Sequence, residues 1–350
     1  MRGVFAHVLS PAQPALAAKP RGCRVGILFA MIITTALVVS AMAAPPSHIW
    51  SAPLSLAQPA PVAPVDQSVA PLGQSEDMTA SASVGAGWTW QLRTNLKDSG
   101  GGRFSVDRGH AHARARIGLR KDLDLVLGGR YQRDNFSWSE IPARWTSINT
   151  TRFDASLEWK ASQQLQIFGG GMTRWAAEEG ASLSDGFEAG GAIGAAWAFS
   201  ERLVLGGGVG MRTRILDDPL WFPIIVVEWQ IAERLRLSSR LTSGWANQSG
   251  AELVYELREG LDVGLAVVFD YQRFRLSDDA SRLSGGAGST EALPITAFLA
   301  YNITPRFSVT AYAGATVYGR LTGTTQGRNE TFASNYDPAP VLGFQGTIRF

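Results

Sequence analysis

Residues 110–116 read HAHARAR, two imidazoles and two guanidinium groups at alternate positions with alanine between them. In an extended chain successive side chains point to opposite faces, so His110, His112, Arg114 and Arg116 share one face. The two histidines then stand ~6.6–6.8 Å apart along the strand, a spacing that suits chelation if a third ligand approaches. The chain has four histidines, and the others are His7 and His48, so that third ligand must be a carboxylate. Two arginines on the same face oppose a cation. A wall that is polar on one side and apolar on the other uses all seven residues, and no metal is expected.

Other stretches invite chemistry and fail on context. The glycine runs at 168–172, 190–196 and 206–210 lack the Lys-Ser/Thr and the helical pattern that a phosphate loop requires; in strands they permit curvature or leave room. A Ser-His-acid site would need a histidine within reach of its substrate, and His110 and His112 lie on the polar face, away from lipid. Asp278 and Asp279 form a carboxylate pair in a polar stretch, read as solvated charge. No enzyme and no cofactor are expected.

The formal net charge is +2, but residues 1–43 contain Arg2, Lys19, Arg21 and Arg24 and no acid, leaving 28 basic against 30 acidic residues. That balance argues against nucleic acid as a partner. Arg21 and Arg24 precede the apolar run VGILFAMIITTALVVS (25–40), and the small residues AMA (41–43) follow, the pattern of a cleaved export signal over 1–43. Sixteen helical residues reach ~24 Å, short of a ~30 Å hydrocarbon core. Cys23, the only cysteine, precedes the apolar run, which excludes lipidation there and leaves the mature chain without a thiol. Residues 44–79, rich in Ala, Pro, Ser and Gln, read as a flexible periplasmic tail.

From residue 80 to 350 one frame recurs: IGLRKDLDL (117–125), WKASQQLQI (159–167), WAFSERLVL (197–205), WQIAERLRL (229–237), YELREGLDV (255–263) and YNITPRFSV (301–309). Apolar residues at period two flank a short polar turn, which specifies a β-hairpin and not a helix. Extending each copy predicts an all-β, antiparallel, up-and-down barrel of about 14 strands, with 12 as the alternative. Short turns fall at 120–122, 161–163, 200–202, 232–234, 259–261 and 303–306, and long polar loops at 134–150, 276–292 and 321–338. That asymmetry is the one found in transmembrane β-barrels.

Trp159, Trp197, Trp229, Tyr255 and Tyr301 all fall on the apolar face just before a short turn, as an interfacial aromatic girdle would. With the leader, the hairpins and the closing GFQGTIRF, residues 80–350 resemble a bacterial outer-membrane β-barrel, and are similar to an uncharacterised outer-membrane barrel family of unknown function. The resemblance implies outer-membrane lipid as surroundings and recognition of the C-terminal strand, ending in Phe350, by the barrel assembly machinery. It brings no catalytic residues.

The polar face becomes the lumen. His110, His112, Arg114, Arg116, Asp124, Arg130, Arg174, Arg212, Glu228, Arg236, Arg240, Asp262 and Asp270 are the expected lining, joined by Glu252 and Glu256. Basic residues are the more numerous in that set, which points to a weak anion preference. The expected function is a diffusion channel for small polar or anionic solutes. The alternative is a non-conducting structural or surface-interaction barrel acting through its loops.

Overall fold

A computed structural model of the chain describes residues 80–98, 101–239, 241, 249–278, 283–327 and 329–350. The export signal expected over 1–43, the tail over 44–79, Arg240 and Asp279 lie outside the described residues.

The strands are β1 (Ala80–Asn95), β2 (Arg103–Arg120), β3 (Leu123–Ser139), β4 (Ser147–Lys160) and β5 (Leu165–Glu178). After a short 3-10 turn at Leu183–Gly186 come β6 (Phe187–Ser200), β7 (Leu203–Arg214), β8 (Asp217–Ala232), β9 (Leu235–Ser238) and β10 (Ser249–Arg258). The last are β11 (Leu261–Arg275), β12 (Ala287–Thr304), β13 (Phe307–Thr324), β14 (Glu330–Asn335) and β15 (Ala339–Arg349). Neighbours pair antiparallel from β1 through β13, and β15 joins β13 to β1, which closes the ring. β14 and β15 pair with successive parts of β13 and are two halves of one stave, so the barrel has 14 staves, the number the alternation predicts.

Five of the six expected short turns reduce to two residues, at 121–122, 201–202, 233–234, 259–260 and 305–306. Gly260 takes φ 73°, a left-handed conformation that a side chain would disfavour. The expected long loops are shorter than the polarity of their residues suggests. β3 runs on to Ser139, β4 begins at Ser147, β12 begins at Ala287, and β14 occupies 330–335. Past the membrane the outward face of a strand meets water, so its polar residues no longer mark a turn; the inward face keeps its alternation, as Phe136 and Trp138 show.

β11 departs most from a simple stave. Its last pairing with β10 is Phe269↔Ser249, and it then continues for six residues, where Arg275 forms a parallel bridge with Ala177 of β5. Five strands, β6–β10, separate β5 from β11 round the ring, so the two meet across it at the loop end. Both faces of Asp270–Arg275 are buried as a result.

Candidate functional site

Register fixes which side chains face inward. Ser83↔Arg114, Gly85↔His112, Gly87↔His110 and Thr89↔Arg108 pair across β1–β2, and Arg114↔Gly128, His112↔Arg130 and His110↔Gln132 across β2–β3. The opening heptad is thus one strip of the inner wall. Its imidazoles lie over the glycines opposite them: a Cβ built on Gly85 would stand 2.6 Å from Cε1 of His112, and one on Gly87 2.8 Å from Cε1 of His110. The rings stack at 6.1 Å with 21° between planes, and His110 Nε2 is 3.2 Å from Gln345 Oε1. They are tiles on a wall and do not converge on one point.

The same fit recurs around the barrel. Phe168 covers Gly194, Phe222 covers Gly210, Phe298 covers Gly264 and Tyr312 covers Gly343, each pair directly cross-strand. The room that glycine makes is therefore filled by the neighbouring strand's large side chain, which is why glycine-rich β6 and β7 border a packed apolar cluster of Phe168, Met172, Ala196, Phe222, Ile224 and Val226.

Ion pairs cross the polar wall in tiers. Near the short turns Arg116 binds Asp124 at 2.6 Å and Glu158 at 2.8 Å. Next, Arg152 stands 3.4 Å from Asp154. Towards the loops Arg108 bridges Asp134 at 2.7 Å and Asp270 at 2.6 Å, and Arg174 binds Glu188 at 2.7 Å, with Arg212 3.8 Å from the same carboxylate. A cavity of about 20 Å³ beside Arg108 and Asp270 is also lined by Thr89, Gln91 and Thr316.

The expected lining set left out Arg108 and Arg152, and also Asp134, Asp154, Glu158 and Glu188, all at inward-facing registers. With them included, the expected basic excess disappears. What stands instead is a mixture on β2–β5, where Arg108, Arg114, Arg116, Arg130, Arg152 and Arg174 share the wall with Asp124, Asp134, Asp154 and Glu158, and a more acidic stretch on β8–β11, where Glu228, Glu252, Glu256, Asp262 and Asp270 lie with Arg236, 3.4 Å from Asp262. Every expected lining residue among those described occupies an inward register. Arg114, Arg130, Arg174, Arg212, Glu252 and Asp270 are deep in the barrel, while Arg236, Glu256 and Asp262 sit near its short-turn end.

At the loop end the mouth is packed. Trp145, 1% exposed, turns in from the β3–β4 connection and meets Phe136, Trp138, Phe274 and Phe332 at ring separations of 5.3–6.0 Å. The Trp138 indole donates to the Trp145 carbonyl at 2.6 Å. Leu96, Phe104, Ile148, Leu276, Leu321 and Tyr336 complete the cluster.

The outer wall is apolar and open. Trp159, Trp197, Trp229, Tyr255 and Tyr301 are 42–46% exposed. They pair with Leu123, Leu165, Leu203, Leu235 and Leu261, each the first residue of the strand after a turn, so all five lie beside the short-turn end. On β6, Phe187 lies ten residues from Trp197; at ~3.3 Å per residue and a tilt near 40° that spans ~25 Å, the height of a transmembrane apolar band. The barrel spans a membrane.

No protein-family model matches the sequence, and no curated protein matches it. Among solved structures, an outer-membrane channel from Pseudomonas putida F1 matches with a TM-score of 0.41 and 12% identity, over 80% of this chain and 100% of that one. A Pseudomonas aeruginosa FadL homologue matches at 0.40 and 10%, over 77% and 90%. The Ralstonia pickettii toluene transporter TbuX matches at 0.35 and 9%, over 76% and 88%. Likenesses this distant transfer no solute, so any reading of function has to come from the chain's own lumen.

Proposed function

We propose that the chain is a channel of a bacterial outer membrane that passes small polar solutes and is closed at its loop-end mouth by the Trp145 cluster. The observation that carries this reading is the set of buried polar atoms that the lumen leaves without protein partners: His110 Nδ1, His112 Nδ1, Asp270 Oδ1, Gln272 Nε2 and Thr296 Oγ1. Protein interiors leave few such atoms, and water or a passing solute supplies the hydrogen bonds they need. A lining of arginines and carboxylates favours polar solutes over apolar ones.

The second reading, a non-conducting scaffold, draws on the tight mouth and the paired charges. Single-channel recording in a planar bilayer separates the two. Trp145→Ala is expected to raise conductance above that of the wild type. No current above background from either protein would remove the channel reading.

A further inference from the structure

Where β11 crosses to β5, the lumen holds a guanidinium group that is only half used. Arg212, on β7, is 2% exposed. Its Nη1 stands 3.8 Å from Glu188 Oε2, and the Tyr271 ring lies 5.3 Å from its Cζ. Its Nε and Nη2 have no hydrogen-bond partner. These two nitrogens form one edge of the guanidinium, the side-on fork whose parallel N–H groups match the two oxygens of a carboxylate.

Glu188 does not meet that need. Its Oε2 is held at 2.7 Å by Arg174, and its Oε1 accepts the Ile215 N–H at 3.4 Å. Arg174 also donates to the Arg273 carbonyl at 2.8 Å, and Arg273 donates to the Ile215 carbonyl at 2.6 Å, so the surrounding groups are tied to one another and to the backbone. A buried cation with two idle donors is costly unless something answers it.

We infer that the Nε/Nη2 fork of Arg212 is a binding site for the carboxylate of a small solute in the lumen. This rests on the lumen being a solute path and names one chemical group that the path would recognise. Leu220, its cross-strand partner on β8, and Phe222 beyond it make the adjoining wall apolar.

The test is calorimetric titration of the refolded barrel in detergent with sodium acetate. Wild type is expected to saturate and to ignore acetamide, which has the shape without the charge. Arg212→Lys keeps the charge but not the fork and is expected to bind acetate at least tenfold more weakly. Arg174→Gln frees Glu188 to take Arg212 and is expected to weaken binding as well. The electrophoretic mobility of unheated protein reports that each variant is folded. No acetate binding by wild type, equal binding of acetamide, or equal affinity in folded Arg212→Lys would overturn the site. Acetate binding without conductance would remove the path and leave the site, and conductance without acetate binding would do the reverse.

Discussion

The imidazole of His112 lies over Gly85, its direct partner across β1 and β2, so closely that a Cβ there would come within 2.6 Å of the ring. Gly85→Val is therefore expected to push the ring off the wall and lower the yield of folded barrel. Gly207→Ala, on the outer face with Ile224 O at 3.3 Å as its nearest neighbour, is expected to fold much as the wild type does. Comparing the refolded fractions on unheated gels checks the contrast; equal yields would show that the ring moves freely.

Arg108 bridges Asp134 and Asp270. Arg108→Met leaves two buried carboxylates facing each other and is expected to cost about 3–5 kcal/mol, the usual penalty for breaking a buried ion pair from one side. Asp270→Asn leaves the Asp134 contact in place and is expected to cost less. Urea unfolding in detergent reads both values, and the reverse order would mean that Asp270 is held by more than its pair with Arg108.

If the five girdle residues lie at one height, single-tryptophan variants retaining Trp159, Trp197 or Trp229 should be quenched equally by lipids brominated at a given depth. Tryptophans are enriched at membrane interfaces, so bromine near the headgroup should quench most strongly. Unequal quenching among the three would place them at different depths.

Phe350 is 70% exposed, while its backbone N–H donates to the Ala82 carbonyl at 2.8 Å. Phe350→Ala is expected to leave refolding in detergent unchanged and to reduce the amount of barrel assembled in cells, where the C-terminal strand would be recognised. Equal loss in both assays would make Phe350 a packing residue.

Outside the membrane-spanning part, the Asn95 amide and Lys97 hold the Asp337 carboxyl below the usual carboxylate range. A lowered folded pKa stabilises above the unfolded value, ~3.9 for aspartate, and the contribution disappears as pH falls through the folded value. The protection of the Lys97 amide, bonded to Asn335 O at 2.9 Å, relative to its intrinsic exchange rate at each pH should therefore fall only in acid. Asp337→Asn should lower that protection at neutral pH.

Much of the barrel was legible because a period of two marks a face wherever that face meets lipid. That Trp159 lies on the outward face and Arg114 on the inward one follows from alternation alone. Partners across the lumen were less legible: Arg108 joins β2 to β11, and nothing local to either strand specifies that. Alternation also misleads on β11. Tyr271 and Arg273 sit at outward registers but are buried, because β11 has parted from β10 there while still pairing with β12. The inward turn of Trp145 depends on aromatic partners contributed by three separate strands, β3, β11 and β14, a tertiary property.

The bridge between Ala177 and Arg275 has a consequence for how the chain folds. Hairpins can zip up one after another with short loops to close, but this contact joins residues about a hundred positions apart, and the entropy of so long a closure is lost before anything is gained there. It must await the arrival of β6–β10. The last event in maturation would then be a seam drawn shut across the top of a ring already complete below, and the half-used Arg212 would be enclosed only at that moment.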